Sequence, residues 1–521
     1  MPRPTRPGNN PAVRPVDLIL AVLVVLIQVN ALAAEWFPDR NKLVVVSAPD
    51  AAGVELPTEA QLATVVRTAS ARRLQPYVEA ASARALMDAP PPRGTIVKTT
   101  VRADAGITEW TLSNGATVVL KPTRLKEDQI LFRASAPGGT SLASDADFLS
   151  ARVADDVVPA GGVGQFSAVM LDKVLSGKAV AVSPFIGEIN AGMGGGSTPQ
   201  DLETMFQLIY LRFTQPRADP TSFAAMASQA RGLLANQMAS PTVVFNQAVE
   251  AALSRSHPRR QPETPATVDQ WNLAKSMAFY KARFADAGNF TFIFVGSFTP
   301  EAIKPLVETY IASLPATHAH ETWRDLGIVL PTGTVEKTIE KGIAPKSEVA
   351  IVFSGPFEYD DAHKLALRTM TLVLQSRLSD AIRQELGGTY SITATPDTEK
   401  FPRPEYSVRI EWTCDPARTA ALVQRVFDEI EFVRSTPLSS GQVTRIREAL
   451  LRDFETDSQD NGYLLDQIAG RYAEADAAAA AAAASVPDQI AALTGEAIER
   501  AARTYLNIGN YVKVTLMPAA K

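Results

Sequence analysis

The sequence predicts an α+β fold made of two similar domains, each an antiparallel sheet covered by helices. Three observations predict it. Ser113-Asn114-Gly115 lies between two apolar runs, Glu109–Leu112 and Ala116–Leu120, which is a strong hairpin signal. Strand-like segments are twice followed by long runs of helical periodicity. A closing pattern also recurs. YKARFADAGNFTFIFVGSFTP (280–300) and AARTYLNIGNYVKVTLMPA (501–519) each hold a helix end with an aromatic, a turn reaching Asn289 or Asn510, and an apolar strand.

A third copy of that pattern, AAEWFPDRNKLVVVSAP (33–49), reaches Asn41 and a strand expected at Leu43–Ser47. Almost nothing precedes it, so residues 29–49 read as the tail of a domain whose body is missing. Residues 1–34 read two ways. Arg3, Arg6 and Arg14 before the apolar run Leu18–Ile27, with Ala31-Leu32-Ala33 after it, have the form of a secretory signal. The same stretch also reads as an out-of-context helix end feeding the strand. Residues 35–100 are then that tail plus a helical linker, Glu59–Leu86, closed by the stiff Ala89–Gly94. The two α+β domains are expected at 101–328 and 329–521. In the second, strands are expected at Ser347–Phe353, Tyr390–Thr395 and Tyr406–Trp412, and a long helix at Ala362–Leu386.

Composition narrows the chemistry. The 521 residues are 46% hydrophobic and 21% charged with a net charge of −5, and no basic block points to nucleic acid. The single cysteine, Cys414, excludes an intramolecular disulfide framework and a cysteine-based zinc site. There are four histidines, His257, His318, His320 and His363. Neither HExxH nor HxxEH occurs. His318 and His320 stand two apart in a connector, which suits neither helical motif. His257 and His363 have no obvious partner in sequence. Gly192–Gly196 lacks the lysine of a phosphate loop and is expected to be a flexible loop before a helix. No GxSxG elbow is present.

One stretch remains with chemistry to assign, Ser376–Ser391 (SRLSDAIRQELGGTYS). Leu374, Leu378, Ile382 and Leu386 line one helix face, Gly387 sits where a helix would end, and a strand follows. Arg383 lies one turn before the break and Tyr390 just after it, so a guanidinium and a phenol could share one space. The structural alternative is ordinary: an arginine complements a helix C-terminus and a tyrosine opens a strand.

The hairpin Glu109–Leu120, the segment Thr198–Pro220, the closing Asn289–Phe298 and IRQELGGTYS (382–391) together resemble the insulinase/pitrilysin family of zinc metallopeptidases. The resemblance covers about residues 29–521 and is strongest to the long bacterial two-half members. It implies the third and fourth domains of four, one half of a clamshell, with Arg383 and Tyr390 matching the family's substrate-binding pair seven positions apart. Where a first domain shows HxxEH, Phe148–Asp156 has no histidine. The resemblance therefore implies no catalytic or metal residue and no bound cofactor on this chain. Zinc belongs to a partner half, and the substrate is an unfolded peptide. The alternatives are a non-catalytic scaffold subunit or a truncated inactive fragment. A periplasmic or membrane-associated location fits the signal-like start, with the cytoplasm as the alternative.

Overall fold

The computed structural model describes residues 28, 29, 31, 32, 35, 36, 43–48, 55–71, 84–386, 391–474 and 486–519. The chain divides into two compact units, 1–78 and 79–521. In the first, a helix spans Glu59–Ala71. Thr58 and Gln61 exchange side-chain-to-backbone bonds at its start, at 2.7 and 3.3 Å, which satisfies two helix-end donors. Leu43–Ala48 is extended and exposed but not a strand, contrary to expectation. It has no ladder partner among the described residues, and strands exist only in pairs.

The second unit holds two sheets. The first contains β1 (Ile96–Arg102), β2 (Ile107–Leu112), β3 (Thr117–Pro122), β4 (Ile130–Pro137), β5 (Val180–Ile186), β6 (Asn190–Ser197) and β7 (Thr291–Gly296), in the order β1-β2-β3-β7-β4-β6-β5. The second contains β8 (Thr334–Glu340), β9 (Ser347–Pro356), β10 (Ile392–Glu399), β11 (Glu405–Cys414) and β12 (Tyr511–Met517), in the order β10-β11-β9-β12-β8. Read from its other edge, the second sheet repeats the last five strands of the first: β8-β12-β9-β11-β10 matches β3-β7-β4-β6-β5. The two closing segments are the equivalent strands β7 and β12. Each returns beside the opening strand and runs parallel to it, β7 to β3 and β12 to β8. Both sheets are antiparallel apart from that one pair.

The hairpin β2–β3 turns at Asn114-Gly115, with Gly115 at φ +88° and its N–H on Leu112 O at 2.9 Å. Gly192–Gly196 is not a loop. It lies in β6, between β4 and β5. A Cβ on Gly192 would stand 2.0 Å from Ala134 O, and one on Gly195 would stand 1.9 Å from Ala181 O. Glycine is there because neighbouring backbones approach too closely for a side chain. The helix expected to reach Leu86 is described to Ala71. Leu86 itself is non-helical and buried in the core of the first sheet.

In each domain four principal helices precede the closing strand: Leu202–Thr214, Pro220–Ala239, Pro241–Leu253 and Leu273–Arg283 before β7, then Thr419–Ser435, Ser440–Asp457, Asn461–Ala473 and Gly495–Tyr505 before β12. The third helix of each set covers the other sheet. Phe245 and Val249 of Pro241–Leu253 pack on Ala350, Val352, Val512 and Val514 of the second sheet. Leu465 and Ile468 of Asn461–Ala473 pack on Ile107, Val119, Ile293 and Val295 of the first. This exchange explains why the central strands read as near-continuous apolar runs. Both faces of β7 and β9 are covered, and β9 is buried from Ser347 through Ser354.

Candidate functional site

The helix Asp361–Leu386 carries Arg383 in its last turn. Its apolar stripe is anchored as the periodicity requires: Leu367, Met370, Leu374, Leu378 and Ile382 are all at most 1% exposed, in the core of the second sheet. The side chains of Arg383 and Leu386, and all of Gly387–Tyr390, lie outside the described residues. What the structure does place is the frame on either side of them.

Two contacts hold that frame. On one flank, Arg377 donates to the Glu429 carboxylate at 2.6 and 2.7 Å and lies 3.5 Å from the centre of the Phe432 ring. Arg425 pairs with the other oxygen of Glu429 at 2.7 Å. Glu429 is buried, so both guanidinium bonds compensate its lost hydration. On the other flank, the Gln375 carboxamide donates to Ile392 O at 2.9 Å and accepts from the Ala394 N–H. The strand that follows Tyr390 is thereby tied back to the helix that precedes Arg383.

The segment comparable to a zinc helix is broken into two short helices, Phe148–Ala151 and Ala154–Ala160. Its polar groups serve the fold. Ser150 Oγ accepts from Asn272 N–H at 3.0 Å, and Ser150 O accepts from Ser276 Oγ at 2.8 Å. Arg152 pairs with Glu263 at 3.4 Å. Asp155 accepts the Ile186 N–H at 2.8 Å. With no imidazole present and these groups already committed, zinc does not fit here. Burial pushes the Asp155 carboxyl up to about 6, against the pull of the Ile186 N–H.

That shift has a stability consequence. The folded value lies above the unfolded one of about 3.9, so stability from the neutral acid is full below pH ~4 and is lost as pH rises through about 6. Asp155→Asn keeps the acceptor without the charge. It should be more stable than the parent at pH 8 by on the order of 2 kcal/mol, and nearly equal at pH 4, in urea unfolding. An equal gain at both pH values would rule out this titration.

The histidines are placed differently from the sequence reading in two cases. His257 Nδ1 accepts from the Arg259 N–H at 3.3 Å, and so caps a short turn. His363 Nδ1 lies 2.8 Å from both Asp360 oxygens, and Nε2 lies 3.4 Å from Glu358. Asp360 also accepts the His363 N–H at 2.7 Å, as a helix-capping residue does. Sequence spacing contained this signal, since Asp360 and His363 are three apart at a helix start. Among the described residues Glu358, Asp360 and His363 are the one set of three metal-type donors that converge. They sit on an exposed helix end whose capping explains them. His318 and His320 remain in the connector, both with positive φ.

Residues 270–450 match the model of the peptidase M16 inactive domain. This chain is similar to that domain over those residues. It is 22% identical over 424 residues to the zinc protease PQQL-like of Arabidopsis thaliana, covering 77% of this chain and 41% of that protein. It is 24% identical over 336 residues to the probable zinc protease PqqL of Haemophilus influenzae, covering 62% of this chain and 35% of that protein. Its fold is similar to that of the periplasmic protease PqqL from Escherichia coli, with a TM-score of 0.75 at 19% identity, over 89% of this chain and 51% of that one. The chain thus spans well under half the length of these curated relatives and about half of the solved one. No helix among the described residues is long and apolar enough to cross a membrane. The apolar run Leu18–Ile27 lies outside them.

Proposed function

We propose that this chain is the zinc-free, substrate-binding half of an M16 peptidase and acts on unfolded peptides together with a zinc-bearing half. Its domains are 101–328 and 329–521, after a signal-like segment at 1–34 and a linker region at 35–100. Arg383 and Tyr390 bind the substrate backbone, and zinc with its activated water resides on the partner half. A periplasmic location follows the solved PqqL.

The observation that carries this reading is the zinc-helix position. In a chain similar to the M16 inactive domain over residues 270–450, Phe148–Ala160 has Ser150, Arg152 and Asp155 engaged in structural bonds and no imidazole to bind a metal. The water-activating chemistry of a zinc peptidase needs a metal with an open position and a base beside it. A chain without them contributes binding and charge stabilisation instead.

The test is reconstitution. The purified chain alone should cleave no unfolded peptide and hold no stoichiometric zinc. Mixed with a zinc-bearing M16 half it should give peptidase activity that a chelator removes. A stable complex of the two halves without activity would establish a scaffold role instead.

A further inference from the structure

A cleft of about 500 Å³ is lined by four helices of the second domain: Asp361–Leu386, Thr419–Ser435, Ser440–Asp457 and Gly495–Tyr505. That volume is in the range of small-ligand sites. Leu372 of the first helix and Phe432 of the second line it, and they are 46% and 42% exposed. The opposite faces of both helices are in the core of the second sheet. Large apolar side chains exposed singly need no explanation, but two that meet in one cleft mark a surface that something covers.

The charges around the cleft say what kind of occupant fits. Four charged side chains line it, Arg377, Arg445, Asp453 and Glu499. Two of them are satisfied within the fold. Arg377 is paired with Glu429, and Glu499 is paired with Arg503. Arg445 and Asp453 have no ion pair or hydrogen bond among the described residues. Both stand on Ser440–Asp457, eight residues apart, so about 12 Å of helix axis separates them. Helix stability does not explain this pair. A macrodipole favours acids near the N-terminus and bases near the C-terminus, and Arg445 and Asp453 run the opposite way.

We infer that this cleft binds a short apolar peptide with both termini free, its carboxylate on Arg445 and its ammonium on Asp453. An occupant that satisfies both groups carries an anion and a cation about 12 Å apart, with an apolar body between them. A free peptide has that pair of charges by construction. An extended chain spans about 3.3–3.6 Å per residue, so three or four residues reach. A guanidinium grips a carboxylate through two parallel N–H bonds, and the Asp453 carboxylate accepts from the ammonium. The peptide's side chains remove Leu372 and Phe432 from water. The helix macrodipole has the same sense and favours this direction of the peptide over the reverse. The site does not depend on the peptidase role proposed above.

Trileucine is the probe. The purified full chain should bind it in titration calorimetry with a Kd below about 1 mM. Trileucinamide, without the carboxylate, and N-acetyl-trileucine, without the ammonium, should each bind at least about fivefold more weakly. Arg445→Gln should weaken trileucine by a similar factor and change trileucinamide by less than about twofold, because the group it meets is already gone. Asp453→Asn should do the same for trileucine and spare N-acetyl-trileucine. Ala449 lines the cleft four residues from each charge and is exposed, so Ala449→Trp should fill the cleft, abolish binding and leave the urea midpoint unchanged. No binding at about 10 mM trileucine overturns the site. Equal affinity for trileucine and its two neutralised forms overturns the charge recognition, and with it the proposal. Binding that survives Ala449→Trp, or that neither charge variant weakens, places the peptide elsewhere and overturns it too. If trileucine does not bind while Ala449→Trp blocks assembly with a zinc-bearing half, the cleft is a protein interface and the proposal fails.

Discussion

Phe245→Ala is expected to destabilise the protein by about 3–5 kcal/mol, with the damage in the second sheet rather than in the first. Phe245 belongs to the helix Pro241–Leu253, which in sequence falls between β6 and β7 of the first sheet. Its ring is 3% exposed and is packed with Val249 against Ala350, Val352, Val512 and Val514. Removing it leaves a cavity over β9 and β12, and well-packed strands on both sides leave little room for collapse. Urea unfolding measures the loss, and amide exchange at Val512 and Val514 locates it. Leu465→Ala is the reciprocal case. It should cost about 2–5 kcal/mol and loosen Ile293 and Val295 of β7. If Phe245→Ala instead left exchange in β12 unchanged, the exchanged helix would not be contributing to the second sheet. The exchange also means that neither sheet has two covered faces without the other segment, so the pair should unfold as one cooperative unit.

The sequence made some of this legible. Closing strands were visible because β7 and β12 lie inside their sheets and are apolar at most positions. The Asn114-Gly115 turn was visible because its chemistry is local. The long helix before Arg383 was visible because Leu374, Leu378 and Ile382 keep one face to the core. What escaped was non-local. Nothing in Pro241–Leu253 or Asn461–Ala473 says which sheet its apolar face will meet. β6 was hidden because glycine carries no side-chain period, and only the approach of Ala134 O and Ala181 O explains Gly192 and Gly195. The segment Leu43–Ser47 had the residues of a strand but has no ladder partner among the described residues. In the candidate site, the resemblance singled out Arg383 and Tyr390, whereas Gln375 was missed. A glutamine in a helix is unremarkable until the strand it bonds is known.

Arg383→Ala should lower kcat/KM of the reconstituted peptidase by about 10²–10³-fold, and Tyr390→Phe by about 10–10²-fold, with zinc content and assembly unchanged. The ordering follows from charge. An amide under attack becomes a tetrahedral oxyanion, and in the proposed role the Arg383 guanidinium meets that charge with a full positive one. The phenol supplies one neutral donor, worth about half as much in free energy. How the loss divides tells what the pair does. A contact that strengthens only in the transition state lowers kcat and leaves KM, whereas a grip on neighbouring carbonyls raises KM and leaves kcat. Arg383→Lys tests the geometry separately, since an ammonium keeps the charge but not the planar fork, and a bidentate grip should not recover with it. Parental kcat/KM in both Arg383→Ala and Tyr390→Phe would remove the pair from the mechanism. The helix core and the Gln375 clamp would then serve stability alone. A loss in Arg383→Ala that appears only in kcat would place the guanidinium at the reacting carbonyl, with the metal and the water on the opposite half.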